Sequence, residues 1–265
     1  MEPLDLSFLG HLLSFPASPK SFTKSYVQRV IERTNKRIAS LEDRVLGIAH
    51  GRVMPEPQDV AIGSGKHFSL SIMFLDISGF TSWPSTTFED QKRILWMLDV
   101  FMAEMMNIVR DHGGVFEKNT GDGLMAYFGA ETSNDDEKVH AAVECAVLMH
   151  YVNDRFMTPW FQNQGLWPIT FRVGIDLGEV TIAKIGIYGT HQFVAIGAPA
   201  NIANRLLDKV PSGICIGNEV FKRLPTNWHR SCRALPPTSG YVYVVTGVPY
   251  PIWELTHRLV VDPAA

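Results

Sequence analysis

The chain has 265 residues, of which 46% are hydrophobic, so it is long and apolar enough to bury a full core. Its formal charge of -3 supplies no overall basic field, and we therefore expect no nucleic acid among its partners. Cys145, Cys215 and Cys232 are far apart and have neither metal-ligand nor disulfide spacing, which indicates inert thiols in a reducing compartment.

The N-terminal region predicts a soluble protein without a membrane span. Residues 1–5 are acidic where a signal peptide would be basic, and the sequence contains no run of about 18 apolar residues. The apolar stretch Leu6–Phe15 is too short to cross a bilayer and is expected to pack on the main domain. We therefore expect a cytoplasmic location.

A helix and a linker are predicted to precede the main domain. Ser21–Ile48 carries apolar residues at helical spacing among many charged ones, as in an amphipathic helix. This helix either lies against its own domain or forms a dimer contact. Gly51–Lys66 is rich in Pro and Gly and is predicted to be a linker. The boundary is placed near residue 60, with an extension over 1–60 and one domain over 61–265.

Strands and helices alternate after the linker. In chain order the patterns predict a strand at Phe68–Leu75, a helix at Phe88–Arg110, a hairpin with strands at Gly114–Lys118 and Leu124–Phe128, a helix at Glu137–Phe156, strands within Ile169–Ala183 and a helix at Pro199–Leu207. This order predicts an α+β fold in which helices pack on a mainly antiparallel sheet.

Two aspartates stand at the ends of apolar runs. Asp76 follows the first predicted strand and precedes a loop that contains Gly79, whereas Asp122 lies near the tip of the hairpin. A single aspartate in such a place usually caps a turn. Two carboxylates, the first beside a glycine loop, can instead hold a divalent metal ion against a polyphosphate.

The two aspartates belong to a set of four sequence motifs. In chain order these blocks are FLDISGFT at 74–81, EKNTGDGLMAYFG at 117–129, RVGIDLGEV at 172–180 and IGAPANIANRL at 196–206. Over about residues 66 to 225 the sequence resembles the class III nucleotidyl cyclases, the adenylate and guanylate cyclase catalytic domains. The resemblance implies a ferredoxin-like α+β core, a head-to-tail homodimer and active sites at the subunit interface. It also implies cyclisation of a nucleoside triphosphate to a 3',5'-cyclic nucleotide and pyrophosphate.

The same resemblance assigns expected roles to the metal site and the phosphate loop. Asp76 and Asp122 match the metal-binding aspartates, and the carbonyl of Ile77 matches a backbone ligand, for two Mn²⁺ or Mg²⁺ ions per active site. Gly79, Phe80 and Thr81 match the loop whose N–H groups hold the triphosphate.

Two further positions match residues that act on the reacting centre. Asn201 corresponds to an asparagine that orients the ribose, and Arg205 to an arginine that stabilises the pentavalent phosphorane. They are four residues apart, so on the predicted helix they share one face.

The base-recognition positions depart from the purine cyclase pattern. Adenylate cyclases typically read adenine with a lysine and with an aspartate or threonine, and here these positions hold Lys118 and Val194. A valine cannot accept a hydrogen bond from the adenine amino group, which would cost about 1–3 kcal/mol in a closed pocket. The glutamate and cysteine or serine of guanylate cyclases are also missing.

This departure favours a pyrimidine substrate. The chain looks like the stand-alone pyrimidine cyclases of the bacterial Pycsar antiphage system, whose cyclic products are read by a separate effector protein. Lys118 can donate to a uracil carbonyl, so UTP and cyclic UMP are the favoured substrate and product. Trp83 either fills the space that a purine needs or simply packs in the fold.

Three alternatives remain open. The first is an adenylate cyclase with a relaxed base pocket. The second is a non-catalytic dimerisation module of the same fold, although the retention of Asp76, Asp122, Asn201 and Arg205 argues against it. The third is an RNA-binding ferredoxin-like module, which would need aromatic residues on the sheet and a basic face that the hairpin motif and the negative charge do not supply.

Overall fold

The computed structural model describes residues 24–42, 65–119, 121–187, 190–236 and 248–256. The helices are α1 (Lys24–Glu42), α2 (Phe88–Asp111), α3 (Asp135–Val152), α4 (Thr158–Asn163), α5 (Ala198–Leu206), α6 (Asn218–Phe221) and α7 (Thr226–His229). The strands are β1 (Gly65–Ile77), β2 (Gly114–Asn119), β3 (Gly123–Phe128), β4 (Phe171–Ile187), β5 (Thr190–Ile196), β6 (Gly213–Gly217), β7 (Cys232–Ala234) and β8 (Ile252–Leu255).

The strands form one sheet in the order β2-β3-β1-β4-β6-β8-β7, and β5 pairs with the far end of β4. The pairing of β4 with β6 is parallel, and the other pairs are antiparallel. The predicted α+β architecture, a mainly antiparallel sheet with packed helices, is therefore confirmed.

Strand β1 lies in the middle of the sheet and separates two apolar layers. Met73, Leu75 and Ile77 point into the main core with α2 and α3, whereas Leu70 and Ile72 point into a second core that includes residues of α5. Both faces of the strand are covered, which explains why its sequence is almost continuously apolar.

Helix α2 begins at a capping box, in which the Thr87 side chain accepts from the backbone of Asp90 and the Asp90 side chain accepts from that of Thr87. Helical spacing predicts that one side of α2 is apolar, formed by Ile94, Leu95, Leu98, Phe101, Met102, Met105 and Ile108. Leu98 is half-buried and Leu95 is 38% exposed, whereas the other five are buried. Leu95 lies about 100° around the helix from the buried Ile94, at the edge of the stripe.

Helix α1 packs against α2 of its own chain. Tyr26, Val30 and Ile31 join the main core, and Arg33 forms a salt bridge with the buried Glu104 of α2. Of the two interpretations of this amphipathic helix, the structure supports the one in which it lies on its own domain.

The sequence prediction differs from the structure at the start of β1. The predicted linker ran to Lys66, but Gly65 and Lys66 already pair with Ala183 and Ile182 of β4. Cross-strand pairing extends the strand beyond the part that its own pattern reveals. The rest of that linker, the boundary near residue 60 and the stretch Leu6–Phe15 lie outside the described residues, as does the apolar run 241–245, whose pattern makes it a strand candidate.

No helix in the described part of the chain combines the length and the apolar character needed to cross a bilayer.

Candidate active site

Strand pairing brings Asp76 and Asp122 together at one end of the sheet. Asp76 lies near the end of β1 and pairs with Gly123, the first residue of β3, so Asp122 immediately precedes that pair. The backbone N–H of Ile77 donates to the carbonyl of Asp122 over 3.3 Å. The three predicted metal-site residues are therefore adjacent, although they come from segments 45 residues apart in sequence (122 minus 77).

Arg172 of β4 is the immediate partner of Asp76. The two residues pair directly across the strands, and Nε and Nη2 of Arg172 donate to Oδ2 of Asp76 over 3.0 and 2.8 Å. Nη1 lies 3.4 Å from Oδ1 of Asp208, just after α5. Within the described residues no hydrogen bond is made to Oδ1 of Asp76. The guanidinium thus fixes one carboxylate oxygen and leaves the other for a ligand.

Burial and the neighbouring charges change the pKa of the Asp122 carboxyl. Burial raises the pKa of the Asp122 carboxyl, and the nearby charge of Asp76 raises that pKa further, whereas Arg172 lowers it. Two carboxylates that repel each other at close range form a site that a cation stabilises.

The oxygen donors fit a hard divalent cation such as Mn²⁺ or Mg²⁺. They are the carboxylates of Asp76 and Asp122 and the carbonyl of Ile77, which were predicted as ligands. The described residues contain no group of three or more His, Cys, Asp or Glu side chains placed to hold a metal. A bound ion would therefore complete its coordination with water or with oxygens of a ligand, as Mg²⁺ usually does.

The predicted phosphate loop turns sharply after β1. Gly79 has φ +70, a left-handed conformation that glycine adopts without strain, and Phe80–Ser82 form one turn of 3₁₀ helix. The backbone N–H of Ser78 donates to the carbonyl of Thr170 over 2.8 Å, which attaches the loop to the segment before β4. Gly79 and Thr81 remain exposed.

Trp83 follows this loop and is packed into the fold. Its ring stacks on Trp167 with a centroid distance of 5.8 Å and lies 5.1 Å from the ring centroid of Phe80. All three rings pack against the main core. These contacts favour the packing interpretation of Trp83 over a role in excluding a purine.

Helix α5 carries Asn201 and Arg205 on its exposed face. The opposite side of the helix approaches β4 very closely, since a Cβ atom added at Gly174 would lie 2.0 Å from the carbonyl oxygen of Ala203. The predicted placement of Asn201 and Arg205 on one helix face agrees with the structure, and their catalytic roles remain predictions.

The two base-recognition positions lie on β2 and β5. Lys118 pairs with Met125 of β3, directly after a bulge in β2. Val194 is half-buried and pairs with Ala183, whereas Asp76 pairs with Arg172, eleven residues earlier on the same strand β4 (183 minus 172). At about 3.3 Å per residue, these two positions of one chain are about 36 Å apart along the strand.

Arg172 and Asp208 were not predicted as site residues. Arg172 lies within the block RVGIDLGEV, and its charge was the available signal. Its contact with Asp76 joins residues 96 positions apart and depends on the register of β1 with β4, which the sequence pattern does not specify.

A comparison with protein families matches residues 63–234 to the adenylate and guanylate cyclase catalytic domain. A cytidylate cyclase from Staphylococcus aureus is 28% identical over 57% of this chain and 36% of its own length. An adenylate cyclase from Anabaena cylindrica is 27% identical over 56% of this chain and 29% of its own length. A uridylate cyclase from Burkholderia cepacia is 26% identical over 64% and 74% of the two chains. The chain thus spans about a third of the length of the first two.

Solved structures agree with the fold. The guanylyl cyclase Cya2 superposes with a TM-score of 0.61 at 25% identity, over 72% of this chain and 93% of that chain. The family match covers well over half of the sequence and contains the site described above. The chain therefore belongs to the family of adenylate and guanylate cyclase catalytic domains.

Proposed function

We propose that this nucleotidyl cyclase acts on a pyrimidine nucleoside triphosphate and that its favoured reaction converts UTP to cyclic UMP and pyrophosphate. The observation that carries the proposal is the apolar side chain of Val194 on β5, at the position where adenylate cyclases typically place a hydrogen-bonding residue. Relatives named cytidylate and uridylate cyclase support a pyrimidine substrate.

In this proposal Asp76, Asp122 and the carbonyl of Ile77 hold divalent cations. A cation bound there would offset part of the negative charge of the triphosphate and would lower the pKa of the attacking 3'-hydroxyl. Arg172 keeps Asp76 in place through Oδ2, so that Oδ1 faces the ligand.

The remaining residues bind and orient the nucleotide. Backbone N–H groups of the loop Gly79–Thr81 donate hydrogen bonds to the triphosphate oxygens. Asn201 orients the ribose. Arg205 stabilises the negative charge that develops on the α-phosphoryl oxygens, and its planar fork suits that geometry.

The separation between the two ends of β4 supports an active site shared by two chains. Val194 and Asp76 of one chain lie about 36 Å apart along β4, which is farther than one nucleoside triphosphate can bridge. If both contact the same substrate, they belong to different chains. We therefore propose a homodimer in which β5 of one chain reads the base, and the helix α5 that directly follows it supplies Asn201 and Arg205, while Asp76 and Asp122 of the other chain bind metal.

A second candidate is an adenylate cyclase. It is favoured by Lys118, which matches the adenine-reading lysine, and by the Anabaena cylindrica adenylate cyclase among the relatives. The two candidates differ at Val194, because only a polar side chain there accepts a hydrogen bond from the adenine amino group.

The experiment is a substrate panel with identification of the products. The purified protein is incubated with Mn²⁺ and ATP, GTP, CTP or UTP, and cyclic products are identified by mass spectrometry. We expect cyclic UMP as the main product, and we expect Val194→Thr to raise cyclic AMP formation relative to cyclic UMP. Conversion of ATP alone by the unmodified protein would contradict the pyrimidine assignment, and no cyclic product from any triphosphate would contradict catalysis.

The biological role is a separate part of the proposal. Resemblance to the stand-alone pyrimidine cyclases supports an antiphage second messenger that a separate effector protein reads.

A further inference from the structure

A buried carboxyl group lies on the sheet face that carries α5. Asp176 of β4 is 1% exposed, and its Oδ1 accepts a hydrogen bond of 2.8 Å from the hydroxyl of Tyr250. That hydroxyl in turn accepts from the backbone N–H of Glu219 over 3.1 Å. Gly217 of β6 leaves room for the carboxyl, since a Cβ atom at Gly217 would lie 2.1 Å from Oδ1. These residues form a closed polar network.

The ring of Tyr250 connects this network to α5. It belongs to an apolar cluster with Ile202 and Leu206 of α5, and the other buried members are Val210, Cys215 and Ile252. Ile202 and Leu206 each directly follow one of the two residues that we assign to the reacting centre, Asn201 and Arg205. A shift of the Tyr250 ring would therefore displace the helix that presents both side chains.

We propose that Asp176 and Tyr250 are positioning residues for the cyclase reaction, because their hydrogen bond sets the depth of the Tyr250 ring beneath α5 and so the placement of Asn201 and Arg205. The catalytic part of this inference rests on the proposed function. The structural part, that the hydrogen bond holds α5, does not depend on it.

The protonation state of Asp176 determines which substitution preserves its hydrogen bond with Tyr250. Burial, as the largest cause, and the charge of Glu219 together raise the pKa of Asp176 to about 8, although the hydrogen bonds from Tyr250 and the backbone of Leu177 lower it. The carboxyl is therefore mostly neutral at pH 7. The variant Asp176→Asn would retain the size, the neutrality and an acceptor oxygen of this side chain, so a hydrogen bond from Tyr250 is preserved.

The experiment compares three variants with the unmodified protein at pH 7. Tyr250→Phe removes the hydroxyl and keeps the ring, and Asp176→Asn keeps the acceptor. Tyr26→Phe is the matched control, because the Tyr26 hydroxyl donates to Asp111 over the same 2.8 Å at the contact between α1 and α2. Amide hydrogen exchange is measured by mass spectrometry on the peptide containing α5, and kcat and KM are measured in parallel with the triphosphate that gives most product.

We expect Tyr250→Phe to accelerate exchange in α5 and to lower kcat, each about tenfold, the factor that one buried hydrogen bond supplies, with little change in KM. Asp176→Asn should not accelerate exchange in α5, and its kcat should stay within about twofold of the unmodified protein. Tyr26→Phe should leave exchange in α5 unchanged.

Unchanged α5 exchange in Tyr250→Phe, or equal acceleration in Tyr26→Phe, would overturn the proposal. If Tyr250→Phe does not fold, Asp176→Ala removes the acceptor instead and must accelerate α5 exchange relative to Asp176→Asn. If the unmodified protein converts no triphosphate, the proposed function is wrong, and the exchange comparison still decides whether the hydrogen bond holds α5. Faster exchange with unchanged kcat would overturn the catalytic part alone.

Discussion

The two carboxylate oxygens of Asp76 have different environments. Oδ2 accepts both hydrogen bonds from Arg172, whereas the described residues donate none to Oδ1. Such an arrangement orients a metal-binding carboxylate without blocking it. The same guanidinium places a positive charge beside two aspartates, which explains how Asp76 and Asp122 can lie close together in the fold.

Asp176 gives a prediction about pH. Its pKa is about 8 in the folded protein and near 4 in an unfolded chain, so the folded state binds the extra proton between these values. The contribution of the neutral carboxyl is complete below about pH 4 and is lost as the pH rises through 8. Urea denaturation from pH 5 to 9 should therefore show the unmodified protein losing stability relative to Asp176→Asn, on the order of a few kcal/mol.

A constant stability difference between the two proteins over this pH range would contradict the assignment. The variant is a matched control, because it keeps the size of the side chain and removes only its titration.

Some residues of the site could be predicted from the sequence, whereas others could not. Asp76 and Asp122 were predicted because each ends an apolar run inside a recognisable block. The contacts of Arg172 with Asp76 and of Tyr250 with Asp176 were not, since they join residues 96 and 74 positions apart. Such pairs follow from strand register and from the path of the C-terminal segment, which local patterns do not encode.

Helix α5 depends on a glycine in the strand beneath it. Replacing Gly174 with alanine would bring a Cβ atom to 2.0 Å from the carbonyl oxygen of Ala203, so the helix must move away from β4. We expect Gly174→Ala to lower the free energy of unfolding by about 1–3 kcal/mol and to reduce kcat as well. Denaturant titration and steady-state kinetics measure the two effects.

The control for this variant is Gly165→Ala. Gly165 has φ +70 and open space around it, so alanine there costs about 1–2 kcal/mol of backbone strain at a site apart from α5. Its kcat should be unchanged. An equal loss of kcat in both variants would mean that activity follows global stability rather than the position of α5.

Helix α1 is attached to α2 through ionic contacts. Arg33 donates to both oxygens of Glu104, whose side chain is 3% exposed, and it also contacts Asp111. Arg33→Met leaves the Glu104 charge buried without this partner, and we expect a loss of about 3 kcal/mol in unfolding free energy. Thermal and urea unfolding measure it.

The exposed pair of Lys92 with Glu89 supplies the comparison, and Lys92→Met should have no measurable effect. If both substitutions are equally mild, α1 is not stabilised by its ionic contact with α2.

The elements themselves were largely predictable. The helix predicted at Phe88–Arg110 and the hairpin around Asp122 were found within one or two residues, because helical periodicity and turn residues are local signals. Strand β1 runs beyond its predicted ends because β4 pairs with it from Gly65 to Ile77, whereas β4 runs beyond its predicted end because β5 pairs with Lys184–Ile187. The length of each strand therefore depends on the strands that pair with it.

At the scale of the whole molecule, the candidate residues divide between two ends of the sheet. Asp76, Asp122 and the loop after Gly79 lie at one end, and Val194 lies on β5 at the other. This division follows from the length of β4, and it is the basis for proposing a homodimer with shared active sites.

Complementation between two inactive chains tests this account most directly. Asp122→Asn and Arg205→Ala chains are co-expressed with different tags, and the heterodimer is isolated by two affinity steps. Each homodimer should be inactive. The heterodimer has one site with both residues intact, so it should form cyclic nucleotide at about half the rate of the unmodified dimer. A heterodimer as inactive as the two homodimers would show that Asp122 and Arg205 act within one chain and would contradict the shared site.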